Sequence, residues 1–382
     1  MTSIGGVGTL AQNLLLRSTV RNIQGELDRV QIQIASGKKS DVYSGLGATS
    51  HSTLALHQQK QEVQNYRDNI AATRARLGVM DHAMTRLTEI ATEFRAKFLQ
   101  NRTYMDADPT VRAVFQQEAQ AALREINQIL NAQYGGDYLF SGRLTSVPPM
   151  IDPGEITVAG TPLQVLNSVI NTGPATNYAA NGAATAFNAV IATLTPSGGA
   201  YTGTPPDTFP YRGDTAAYSN SPPFTNALTV RIGTGTSIGY TVRGDDPAIA
   251  ALLQGVYTFA TAEYVDGASS AFFELMDAAS FRIDQALEGS TLTPPSGVPS
   301  STTPAFNGLR SLLGGIGAIE NRLKSVDLQH EQVQTLLDSE LGRLEDADPY
   351  QAISKLQGLQ GQLNASFQVT ALLRRLSLAN YI

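Results

Sequence analysis

The sequence predicts a mainly α-helical fold with a β-containing middle, an α+β arrangement in which long helices from both termini pair antiparallel like a coiled coil. Three observations point to it. Apolar residues toward both ends recur at alternating spacings of three and four, the period of a helical seam. The middle loses that period and is rich in Thr, Ala, Pro and Gly, with no Lys between Lys97 and Lys324. The tetrapeptide Asp-Ala-Asp-Pro stands at 106–109 and again at 346–349, each time ahead of a helical pattern.

The first helix carries Val20, Ile23, Leu27, Val30 and Ile34 at spacings of three, four, three and four. That is a narrow stripe, suited to one partner helix. The Gly- and Ser-rich stretch SGKKSDVYSGLGATS then breaks the pattern. A second helix is expected over about 50–103, where Tyr66, Ile70, Thr73, Leu77, Met80, Met84, Leu87, Ala91, Phe94 and Phe98 keep the alternation without a slip. Such a helix would be about 80 Å long. Ordinary globular helices are much shorter, so an elongated molecule is expected. A third helix over about 109–134 aligns Phe115, Ala119, Ala122, Ile126 and Ile129.

Near the other end, 306–345 reads as helix through Leu309, Leu312, Ile316, Ile319, Leu323, Val326, Val333, Leu336, Glu340 and Leu344. A last helix over about 349–379 carries Ile353, Leu356, Leu359, Leu363, Phe367, Leu372 and Leu376. The repeated tetrapeptide reads as a helix-start device. Asp108 and Asp348 each precede a Pro, and an Asp carboxylate at N-cap accepts from an orphan backbone N–H. Pro suits the first helical position, where its missing N–H has no helical partner. Gln351 stands three after Asp348, a capping-box spacing. A metal reading would need converging ligands, which the spacing does not provide.

The middle, about 141–300, has another character and is expected to contain β structure. Over 145–206 the near-absence of charge suggests a small β domain or loops. ALTVRIGTGTSIGYTVRG then gives two alternating stretches, Leu228–Ile232 and Ile238–Val242, around a Gly/Thr turn, a hairpin signature. Asp246 and Pro247 restart a helix, FFELMDAASFRIDQALEG is another, and STLTPPSGVPSSTTP reads as a linker.

Composition narrows the function classes. A net charge of −6 without a dense Lys/Arg cluster argues against a nucleic-acid partner. No stretch is long and apolar enough for a membrane span, and the N-terminus lacks the pattern of a cleaved secretory signal. The absence of Cys removes thiolate metal sites and cysteine nucleophiles. His51, His57, His82 and His330 show no ligand spacing and read as solvent-facing helix residues. Asp245 and Asp246 read as an exposed residue and a cap. No phosphate-binding or nucleophile-elbow motif occurs, so no catalytic residue, metal or cofactor is expected.

Four segments together resemble the bacterial flagellin family, including its hook–filament junction proteins. They are LDRVQIQIASGKKSD (27–41), NYRDNIAATRARLGVMDHAMTRLTEIATEFR (65–95), YGGDYLFSG (134–142) and AISKLQGLQGQLNASFQVTALLRRLSLANYI (352–382). The YLFSG string is most similar to that of junction proteins. The resemblance implies an extracellular, non-enzymatic structural subunit of the flagellum, exported through the flagellar type III route without a cleaved signal. It implies self-association into a helical homo-oligomer, neighbouring axial proteins (a hook-side junction protein and flagellin), and an export chaperone.

The expected domain plan follows. Residues 1–42 with 346–382 form an inner, channel-lining helical pair. Residues 43–142 with 211–345 form a helical rod with a β-hairpin, and 143–210 form a variable outer β or loop domain. The expected assembly interface is Val20, Ile23, Leu27, Val30, Ile34, Ile353, Leu356, Leu363, Phe367, Leu372 and Leu376, with ends that order on assembly. Junction protein and filament-forming flagellin both fit the resemblance. A glycan- or host-binding surface module, with Tyr201, Phe209, Tyr211 and Tyr218 as its aromatics, is a rival of another class, as is a coiled-coil signalling protein.

Overall fold

The computed structural model describes residues 4–40, 42–195, 209–212, 228–240, 242–294 and 305–379. In chain order the elements are α1 (Ile4–Ser36), a 3₁₀ segment (Tyr43–Thr49), α2 (Ser50–Ala107), α3 (Pro109–Leu130), β1 (Gln133–Tyr134) and β2 (Asp137–Tyr138). Then come α4 (Pro162–Asn167), a π-helical turn (Ser168–Thr172), α5 (Tyr178–Asn181), α6 (Ala183–Thr193), β3 (Thr229–Gly233) and β4 (Thr236–Gly239). The chain continues with α7 (Pro247–Thr261), α8 (Ser269–Glu288), α9 (Leu309–Glu345) and α10 (Pro349–Ala379). The described residues are mainly helical, with two small antiparallel sheets, β1–β2 and β3–β4.

The chain divides into two compact units, Met1–Asn65 with Leu328–Ile382, and Tyr66–Asp327. The larger unit is built around α7. Its residues 248–261 are buried on every side, against α3, α4, α6 and α8. A helix that is apolar all round has no solvent face to offer, which suits the centre of a layered helical core. The α2 stripe from Tyr66 to Phe98 is buried at each of its predicted positions. Phe94, Phe98, Phe115 and Phe259 interlock there, with ring centroids 4.8–6.0 Å apart. Such tilted and edge-on pairs are the favoured geometries for aromatic rings.

Asp108 opens α3 with its carboxylate accepting from the Thr110 N–H at 2.7 Å, and Pro109 occupies the first turn. At 134–137, Tyr-Gly-Gly-Asp closes the β1–β2 hairpin. Gly135 and Gly136 both have positive φ, 63° and 91°, which the tight two-residue turn requires. The following Leu139, Phe140 and Ser141 are buried.

Two readings of the middle need correction. The described part of 145–206 was expected as β or loop, yet its regular elements are α4, the π-turn, α5 and α6. Leu163, Leu166 and Ile170 fall three and four apart. Ala183, Ala186, Phe187, Val190 and Leu194 line one face of α6, and all are buried. Small, uncharged residues let these short helices sit close to α7 and α8, and polar side chains pin them. Gln254 donates to Leu194 O at 2.9 Å, and Asn171 donates to Thr261 O at 2.7 Å. Asp245 is likewise not exposed: it is buried and paired with Arg243, beside Asp246, which caps α7 through the Ala248 N–H at 2.9 Å.

Candidate assembly interface

The smaller unit contains the predicted terminal pair. α1 leads into a turn at Gly37–Lys39, and α10 leads away from a corner at Asp346–Asp348. These two places are stitched together. The Lys39 N–H donates to Glu345 O at 2.6 Å, the Ala347 N–H donates to Gly37 O at 2.8 Å, and Lys38 bridges Asp346. One helix enters this joint and the other leaves it, so α1 and α10 run in opposite directions. Lys355 of α10 pairs with Glu26 of α1 at 2.7 Å across the two helices. That bond and the charge of Lys355 hold the Glu26 carboxyl below its usual value.

Along this pair, Ile23 and Val30 of α1 bury against Ala352 and Leu359 of α10, with Leu27, Leu356 and Leu363 partly buried beside them. Val20 is half-buried. Asp348 starts α10, accepting from the N–H groups of Tyr350 and Gln351 at 2.9 and 3.3 Å.

The remaining predicted residues are not gathered into this seam. Ile34 is 38% exposed, Ile353 44%, Phe367 51% and Leu372 60%. Leu14, Leu15 and Ile32 are exposed as well. Leu376 lies on α10 with its side chain outside the described residues. The split has a simple cause. Two helices cover only one narrow stripe of each other, and the stripe on α10 runs through Ala352, Leu356, Leu359 and Leu363. Ile353 and Phe367 fall off its edge.

A similar correction applies to α9. The sequence reading placed Val333 and Leu336 on its stripe, and both are exposed, while Leu337 and Leu341 are buried. The seven-residue line from Leu309 through Ile316 and Leu323 continues to His330 and Leu337, so the period, not the apolar letter, picks the buried face.

Sequence reasoning missed the polar centre of the joint. Glu345 is 8% exposed and meets two nitrogen donors, Lys38 Nζ at 3.2 Å and His57 Nε2 at 2.5 Å. His57 therefore does not simply face solvent. No local motif signals this contact, because His57 and Glu345 are remote in sequence.

The aromatics considered for glycan binding are not presented as a platform. Phe209 and Tyr211 are buried, the Tyr211 hydroxyl donating to Phe140 O at 3.3 Å, and Tyr201 and Tyr218 lie outside the described residues. Among the described residues no group of three His, Asp or Glu side chains is placed to hold a metal ion. No described helix is long and apolar enough to cross a membrane.

The chain matches the bacterial flagellin N-terminal helical region over residues 7–145 and the bacterial flagellin C-terminal helical region over residues 300–382. No protein with a curated description matches it. A solved structure from Vibrio parahaemolyticus, provisionally assigned as a flagellar hook-associated protein, is similar at 13% identity and a TM-score of 0.44, covering 78% of this chain and 97% of that one. With both helical regions of the family matched around a divergent middle, over more than half of its length, the chain belongs to the bacterial flagellin family.

Proposed function

We propose that this structural subunit of the bacterial flagellar axis acts at the hook–filament junction. One observation carries the assembly part of this reading. The α1–α10 pair buries Ile23, Val30, Ala352 and Leu359 but leaves Ile34, Ile353, Phe367 and Leu372 in solvent. Fully burying each such side chain contributes about 1.5–3 kcal/mol. Neighbouring copies that cover these residues gain that energy. The contact joins unlike surfaces, so it repeats along an open helix.

The junction role is supported by YGGDYLFSG at 134–142, the segment most similar to junction proteins. That segment folds as a Gly-Gly turn followed by the buried Leu139–Ser141. In this role one end of the short helical array of subunits meets a hook-side junction protein and the other meets flagellin. Export through the flagellar type III channel, with a chaperone covering the terminal helices, completes the proposal. The matches to both flagellin helical regions favour a second reading, a filament-forming flagellin.

A deletion strain separates the two. Intact hooks without filaments, and filament protein shed to the medium, support the junction role. Loss of the filament protein itself supports the flagellin reading. Normal filaments and motility would overturn both.

A further inference from the structure

Three chain segments converge on the Glu345 carboxylate at the end of α9. From α2, His57 Nε2 lies 2.5 Å from Oε1, and from the turn after α1, Lys38 Nζ donates to Oε2 at 3.2 Å. An ionised carboxylate only accepts, so the His57 Nε2 carries the proton. Lys39 donates from its ammonium to the carbonyls of Arg343 and Leu344, at 2.7 and 2.9 Å, closing the last turn of α9. We propose that Glu345 is the pin of a proton-released latch: ionised, it fastens the turn after α1 and the start of α2 to the α9–α10 corner, and protonated, it lets that joint open and frees the α1–α10 pair from it.

Position distinguishes this carboxylate from an ordinary surface ion pair, which contributes little. Glu345 is buried, and its two donors come from different segments, the turn after α1 and α2. Protonation removes both charge-assisted bonds at once and leaves two donors facing a neutral acid. Lys60 on α2 pairs with Asp338 at 2.5 Å, Arg343 pairs with Glu340 at 2.9 Å, and Asp346 bridges Lys38 through the backbone. Glu345 is thus the carboxylate that ties α2 and the post-α1 turn to one point.

Burial pushes the Glu345 carboxyl up, but the bonds from His57 and Lys38 outweigh it and hold it below its ordinary value of 4.5. The sign follows. The latch is fully present above about pH 4.5 and is lost as pH falls through the lower value of the folded protein. The inference concerns the joint alone and holds whichever axial position the subunit takes.

The test is amide hydrogen exchange on the full chain, dilute and unassembled, corrected for intrinsic rates and followed from about pH 6 down to about pH 3. In the natural protein, residues 33–40 are expected to lose protection at the lower pH. Glu345→Gln is expected to lower their protection about tenfold at pH 6 and to remove most of the pH dependence. Peptides from α7 serve as the unchanged control. Lys38→Met, a milder change, is expected to move the acid transition to higher pH. Wild-type protection in Glu345→Gln, or an unmoved transition in Lys38→Met, overturns the latch.

Discussion

Replacing Val30 by Asp tests how little holds the terminal pair. Val30 is 1% exposed and sits in a seam whose other fully buried members are Ile23, Ala352 and Leu359. Losing its burial costs about 1.5–2 kcal/mol. Placing an unpaired carboxylate in this apolar seam costs several kcal/mol more. The total, about 4 kcal/mol or above, is comparable with what the three large buried side chains contribute together, at roughly 2 kcal/mol each. The pair should therefore open. Hydrogen exchange reads this directly. Protection across residues 20–36 and 349–363 should fall about a thousandfold, at 1.4 kcal/mol per tenfold, while α7 keeps its protection. Val30→Ala, which removes two methyl groups, should cost about 1–2 kcal/mol and lower protection about tenfold. Unchanged protection in the Val30→Asp protein would refute the seam.

Further predictions concern the larger unit and the helix start. Phe259→Ala removes the ring that touches Phe94, Phe98 and Phe115, and should destabilise the unit by about 3–5 kcal/mol in denaturant unfolding. A loss under about 1 kcal/mol would mean the cluster is not close-packed. Gly255→Ala places a Cβ 2.6 Å from Ile283 Cγ1 and 2.8 Å from Ala279 O, so α7 and α8 must part. The overpacking cost of about 1–3 kcal/mol outweighs the helix-propensity gain of up to about 1 kcal/mol, and a raised melting temperature would contradict that spacing. Asp348→Ala should weaken α10 by about 1 kcal/mol, and Asp348→Asn by only a few tenths, because Asn still accepts from the first-turn N–H groups.

Much of this fold is legible from local chemistry. The α2 stripe from Tyr66 to Phe98 follows one period over many turns, and every residue read onto it is buried. Asp-Pro at 108–109, 246–247 and 348–349 opens α3, α7 and α10, because a carboxylate cap and a proline first turn have few other uses together. Illegible segments have identifiable reasons. Over 162–193 the residues are small and uncharged, so the sequence lacks the polar face that marks an amphipathic helix. On α10 the sequence favours Ile353, but the seam takes Ala352, since the helix partner selects a face and not the largest side chain. The joint at Glu345 depends on contacts between residues far apart in the chain, which no window of sequence contains.

The measurement closest to the central claim uses the exposed apolar residues that the α1–α10 pair leaves uncovered. Ile353, Phe367 and Leu372 are replaced together by Ser, and purified protein is followed by electron microscopy and sedimentation alongside the natural chain. The account predicts an unassembled subunit with unchanged exchange protection in α7, under conditions where the natural chain, seeded with flagellar axial fragments, extends them. Extension by the triple variant at the same protein concentration as the natural chain would contradict it.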